Sequence, residues 1–526
     1  MPRKASIRRL APLLFISLIA IAGCTTPAPP GTVVRWVVGQ APPAFDPDGP
    51  PDVVAGTFLR LLGRGLVAID STGDVVPDAA ERFDVSPDER RVTFHLHALK
   101  FADGTPCTSD DFRRALRAAL ARRDHSTARW LLSSIEGVEA IRSGRPLPSG
   151  LGIDAPDPRT LVVRLTRPDP RLLERLAIPG LAMPWKDGAG DGDRGWDSGI
   201  GRYRRIEAAP GRWTLVRARN GASAPSLEKN AVPGPELADT VRIRFALGSA
   251  RIHSLIRQGA VDLAWPLPPG MLGLPPTAGY RLDSRPARPE RWLLLVMRAD
   301  LPPTSRPAAR HALSHGLDRK DVLARLGVRA TEAGEWIPGG GPFAFPARDA
   351  EEVRGWLARG KLGRSLHVTL GYAADREGGE VARAIQSEWA RFALDAELQP
   401  LRGEKLRDSR LAPVGPHVQL VEYQPLLEDP EATLAGFVMP VRDPAVGAVR
   451  TGWRTREFDP WIGPRRSADP FDPEAVQRRL AEDRVVLPLA RLPWLWIERG
   501  AGPLVAVDPR FGPQPERLRK LPVRPR

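Results

Sequence analysis

Two stretches of this chain alternate in the same way. DTVRIRFALGSARIHSLIRQGAVDLAW (239–265) and LHVTLGYAADREGGEVARAIQSEWARFALDAELQPL (366–401) each run strand, amphipathic helix, strand. The second has the length of a right-handed crossover between parallel strands. Strands alternating with helices in two separate stretches point to two α/β layers. The Pro/Gly-rich passage from Pro266 to Pro276 falls between them, and RWLLLVMR opens the second region. Two α/β lobes follow, and a cleft between lobes is where ligands are usually held.

Shorter signals fill in the first half. GLVAIDSTGDVVPDAA and FDVSPDERRVTFHLHALKF each place two apolar runs about a turn; Val92, Phe94 and Leu96 alternate with polar neighbours as in a half-buried strand. In FADGTPCTSDDFRRALRAALARR, Thr108 and Asp111 have capping-box spacing, and Phe112, Leu116, Ala119 and Leu120 form a helical stripe. Asp318, with Asp321 three residues on, opens a second helix in RPAARHALSHGLDRKDVLARLG. The chain closes with a helix near Pro473–Asp483 and the strand-like RVVLPLARLPWLWIER.

The N-terminus carries a different message. MPRKASIRR is basic without an acid, LAPLLFISLIAIA is apolar, and Gly23-Cys24 follows. These are the parts of a secretory signal, and the apolar run is short of the roughly 20 residues that span a bilayer. Ile21-Ala22-Gly23-Cys24 resembles the bacterial lipobox, which implies lipidation of Cys24 and an exported body tied to a membrane on its periplasmic or extracellular face; an ordinary cleaved signal is the alternative. Thr25–Gly31 reads as a short tether.

Composition then excludes several function classes. Removing the four basic signal residues lowers the formal charge from +15 to +11, carried by arginines interleaved with acids rather than in a block. With export, this argues for a solvated or anionic-lipid-facing surface and against nucleic acid. A modified Cys24 leaves Cys107 without a disulfide partner. His95 and His97 share a strand face without a third ligand; His311 and His315 lack the glutamate of a zinc protease motif, so no metal and no cofactor is expected. No nucleophile elbow, phosphate loop or dinucleotide fingerprint is visible.

At this point the order of elements resembles the extracellular solute-binding proteins of the peptide/nickel class, family 5. The residues that carry the resemblance run from about 33 to 500. They are Phe45-Asp46-Pro47, the segment GLVAIDSTGDVVPDAAERFDVSPDERRVTFHLHALKFADGTPCTSDDFRRAL, GIGRY (199–203), IRQGAVDLAW and ARHALSHGLDRKDVL. The resemblance implies a two-lobed, Venus-flytrap, type II periplasmic-binding-protein fold with an extra subdomain in lobe I. It implies no catalysis, a monomer, and capture of a solute, peptide or peptide-like, for an ABC permease and its ATPase. The expected division is signal 1–23, tether 24–31, lobe I 32–52 and 195–285, its subdomain 53–194, lobe II 286–484, and a return to lobe I over 485–526.

The segments such a family brings to the lobe interface nominate Phe45, Trp265, Trp292, Glu422, Tyr423 and Asp429 as ligand contacts, although each tryptophan could equally pack in a core. In EYQPLLEDPEATLAGF, Asp429-Pro430 matches the family's acid-proline pair, and Asp429 serves either as a contact or as a helix cap. Leu426 stands where peptide binders often place an acid for the ligand ammonium. Either Glu422 supplies that charge or the ligand is not a free-amine peptide. Two further readings stay open: an exported hydrolase, and a receptor-like scaffold that has lost transport.

Overall fold

The computed structural model describes residues 32–39 and most of 53–500, with 506–508 and 512–514. Residues 1–31, 40–52, 219–237, 325–336, 403–413, 438–449 and 454–471 lie outside it, with some shorter breaks. Cys24, Phe45 and Leu426 are therefore outside the described residues.

Lobe I is built on a seven-stranded sheet in the order Tyr203–Ala209, Arg212–Arg217, Thr240–Phe245, Val33–Val38, Leu263–Ala264, Trp494–Arg499, Tyr280–Arg285. The first strand lies between the two strands of the 239–265 crossover, parallel to both. Helix Val53–Leu62 covers one face with Phe58, Leu59 and Leu62 against Trp36, Trp213 and Trp265. Helix Ser249–Arg257 covers part of the other through Ile252, Leu255 and Ile256 against Val37, Ala264 and Leu495.

The subdomain has a four-stranded sheet, Ala80–Val85, Arg91–Leu96, Thr160–Arg164, Ile153–Asp157. Helix Ser109–Ala121 buries Phe112, Leu116, Ala119 and Leu120, the stripe read from the sequence. Its start is tied as the spacing predicts: the Asp111 carboxylate accepts from the Thr108 N–H at 2.7 Å and its hydroxyl at 3.0 Å. Cys107 is buried there, and burial pushes its thiol well above the ordinary range, so it has no thiolate character.

Lobe II holds a five-stranded sheet, Leu394–Leu401, Leu366–Ala373, Val418–Tyr423, Arg291–Met297, Val486–Leu492. The 366–401 crossover is parallel over its full length, from Leu366 opposite Leu394 to Ala373 opposite Leu401. Two packing facts move the expected boundaries. Helix Val53–Leu62 packs on the lobe I sheet rather than in the subdomain core, and Val486–Leu492 belongs to the lobe II sheet, so the return crossing falls at Pro493. Proline has no N–H for a ladder, which suits the point where one strand-like run must leave one sheet for another.

His311, on the lobe II helix Pro307–His315, stacks on Trp356 with centroids 4.1 Å apart. Burial, helped by the nearby charges of Arg484, His315 and Arg310, brings its pKa down from 6.5 to about 4. The folded value lies below the unfolded one, so the unfolded chain binds more protons between them. Stability is then complete above about pH 6.5 and declines as pH falls toward 4, by roughly 1–2 kcal/mol once partial solvation of the ring is allowed for. Urea unfolding at neutral pH and near pH 4.5 reads this loss, and His311→Gln should flatten it.

Candidate functional site

The chain crosses between the lobes twice, from Tyr280–Arg285 to Arg291–Met297 and from Val486–Leu492 to Trp494–Arg499. The two crossings are bracketed by reciprocal stacking. The Arg291 guanidinium lies 4.8 Å from the Trp494 ring centroid, and that of Arg491 lies 5.1 Å from Trp292. Arg491 Nε also meets Glu290 at 3.0 Å, and Arg291 pairs with Glu422. Each arginine thus sits on the aromatic ring of the other crossing, within cation–π range.

Away from the hinge, subdomain and lobe II meet directly. Arg175, on helix Leu172–Leu176, is 6% exposed, and its Nη2 donates to Asp429 Oδ2 at 3.0 Å; Asp429 is 2% exposed. Arg175 Nη1 donates to Asp169 at 3.1 Å and to the Leu131 carbonyl at 3.0 Å. Arg171 reaches the Glu428 carbonyl at 3.1 Å and lies 3.6 Å from Asp429. A second bridge joins the lobe I sheet helix to lobe II, where Ser249 Oγ donates to Glu377 at 2.6 Å. These are charge-assisted contacts between the lobes, made by residues 128 to 257 positions apart in the chain.

The nominated residues occupy distinct positions around this junction. Trp265 is fully buried between Trp36, at 6.2 Å, and Trp494, at 5.4 Å, and its carbonyl accepts from Trp36 Nε1 at 3.0 Å. Trp292 is buried beside the hinge and pairs with Tyr423 across the sheet. Tyr423 is buried in lobe II against Phe437, and burial pushes its hydroxyl pKa up. Glu422 is the more open member of the group, its carboxylate on Arg291. Asp429 faces Arg175 and Arg171, and its backbone carbonyl accepts from Thr433 N at 2.9 Å. Arg171, Arg175, Arg291, Arg491 and Trp494 were not nominated; their partners lie on remote segments, which spacing cannot reveal. Of the histidines, His95 bonds the Asp84 carboxylate at 2.9 Å, and no cluster of three metal-ligating side chains exists among the described residues.

GIGRY owes its glycines to packing. A methyl on Gly199 or Gly201 would run into the backbone at Leu61–Leu62, the C-terminal end of the lobe I helix, where Gly201 N donates to Leu62 O at 2.9 Å. That close approach seats the returning chain against the lobe I core.

Two α/β lobes joined by two crossings, with ion pairs between them, make up a periplasmic-binding-protein fold. The chain belongs to the bacterial extracellular solute-binding proteins, family 5, whose middle-region model matches residues 74–461; these are binding proteins, not enzymes. It is 23% identical to the oligopeptide-binding protein OppA of Bacillus subtilis over 435 residues, 77% of either chain. It is 33% identical to the probable deoxycholate-binding periplasmic protein YgiS of Escherichia coli, over 179 residues that span about a third of each chain (32% and 34%). Against the structure of the E. coli murein tripeptide binding protein MppA the TM-score is 0.75 at 19% identity, covering 93% of this chain and 98% of that one. Against the unliganded open form of MppA it falls to 0.58 at 20% identity over the same shares.

Proposed function

We propose that this chain is a lipid-anchored receptor that closes on a peptide or peptide-like solute and delivers it to an ABC permease and its ATPase, with Cys24 as the anchor. The observation that carries the reading is the buried Arg175–Asp429 pair, which joins subdomain and lobe II. Hinge closure around a guest is the motion such contacts register. A single lipid-modified cysteine would keep the receptor near its permease, raising its effective concentration there. Replacing Cys24 by Ser should release the chain from the membrane fraction and abolish acyl labelling.

The solute contacts, in this reading, are Phe45, Trp265, Trp292, Glu422, Tyr423 and Asp429. Glu422 is engaged by Arg291 and Asp429 by Arg175, and position 426 is leucine. A ligand ammonium buried without a counter-charge costs several kcal/mol. The indole N–H groups of Trp265 and Trp494 are buried with no hydrogen-bond partner among the described residues. With both acids engaged, the site favours solutes without a free amine. A second reading, a carboxylate-bearing amphiphile, is favoured by the similarity to YgiS.

Thermal shift with paired ligands tests the choice. An N-acetylated peptide at about 100 times its Kd should stabilise the chain by roughly 2.7 kcal/mol, with the free-amine peptide weaker. A free-amine peptide that binds as well as its acetylated twin contradicts this site assignment.

A further inference from the structure

The lobe I sheet has one face against its core and one that is only partly covered. Val241, Ile243, Trp213 and Leu215 point to the core from the strands Thr240–Phe245 and Arg212–Arg217. The alternate positions point the other way, and there Arg212, Arg242 and Arg244 are exposed. Their register is unusual. Arg212 stands directly opposite Arg244, and Arg242 lies beside Arg35 of the first strand. Like charges set opposite each other on a sheet are destabilising, so a face that repeats them needs a counter-charge from elsewhere. Arg35 has one, Asp262, whereas Arg212, Arg242 and Arg244 have no ion-pair partner among the described residues. The acid nearest in register is Glu207, opposite Thr214, whose hydroxyl it accepts at 2.8 Å. Exposed Val33, 38% open, adds an apolar edge at the start of the first strand.

The first described strand begins beside this face. Cys24 precedes Thr32 by eight residues, which reach at most about 28 Å when extended. Val33 pairs with Thr240, so Arg242 lies two residues, about 7 Å, along the neighbouring strand from the entry point. That is within one Debye length at physiological salt. We propose that this arginine face is a docking surface for an anionic bilayer: it lies down on lipid headgroups and sets the orientation of the anchored receptor. The location of the bilayer rests on Cys24 as the anchor, while the charge of the face does not. Basic side chains near an anionic leaflet each strengthen binding about fivefold, so three acting together have a large effect.

The test uses the mature chain from residue 25, exported behind a leader that leaves no lipid, so failure of the anchor reading cannot mimic failure of this one. It is sedimented with vesicles of phosphatidylcholine alone or with about one-third phosphatidylglycerol. Binding is expected only to the anionic vesicles, lost in about 0.5 M salt, and weakened at least about tenfold in the triple variant R212Q/R242Q/R244Q. The lobe II variant R354Q/R359Q/R478Q removes the same charge from exposed helix positions and should bind as the parent does. Urea unfolding of the first triple variant should show unchanged or raised stability, since an opposed arginine pair is gone; if it does not fold, Arg242→Gln is measured instead. Equal losses in the two triple variants, no binding to anionic vesicles, or unchanged vesicle binding with impaired hand-over to the permease would each overturn the proposal.

Discussion

Arg175→Met is expected to cost the closed chain about 3–5 kcal/mol, the range for removing one partner of a buried ion pair. Three acceptors lose their donor at once: the Leu131 carbonyl, Asp169 and Asp429. Asp169 keeps the Ser134 hydroxyl at 2.7 Å, and Asp429 keeps the more distant Arg171 as a counter-charge. Asp429→Asn is the informative companion. It leaves the Arg175–Asp169 pair intact and a neutral acceptor across the crevice, so its cost should be nearer 1–2 kcal/mol. Because Asp429 is the member on lobe II, both variants should also shift the lobes toward an open arrangement. Urea unfolding measures the first effect and solution scattering the second. If Arg175→Met unfolds like the parent, the bridge contributes nothing to closure.

The second large effect falls on Trp265. Truncation to Ala should cost about 3–5 kcal/mol, because the ring is enclosed by Trp36 and Trp494 at the heart of lobe I. Trp265→Phe keeps much of the volume and should cost clearly less. A Trp265 that served as a ligand wall alone would behave the other way: Ala would weaken binding and leave stability within about 0.5 kcal/mol. The unfolding midpoints of the two variants separate these cases without a ligand in hand.

What the sequence made legible followed from local periodicity. The parallel crossover of residues 366–401, the capped helix at Thr108 and the hairpins of the subdomain depend on neighbours a few residues apart. Residues that share a strand or helix reveal their burial through alternation or a helical stripe. What remained hidden depends on partners far along the chain. Asp429 could be read as a contact or a cap because Arg175 lies 254 residues away. Trp265 could be read as a wall because Trp36 and Trp494 reach it from both ends of the chain. RVVLPLARLPWLWIER reads as one strand-like run, and only pairing partners show that Pro493 divides it between two sheets. The arginine face was half visible: Arg242 and Arg244 alternate within one strand, while the opposition of Arg212 to Arg244 exists only in the register.

Solution scattering of the mature chain, stripped by unfolding and refolding and then titrated with acetylated peptides, tests the hinged-receptor reading most directly. A radius of gyration that contracts on saturation, from a more open starting value, is the expected result. Superimposable curves before and after a ligand that demonstrably binds would contradict it.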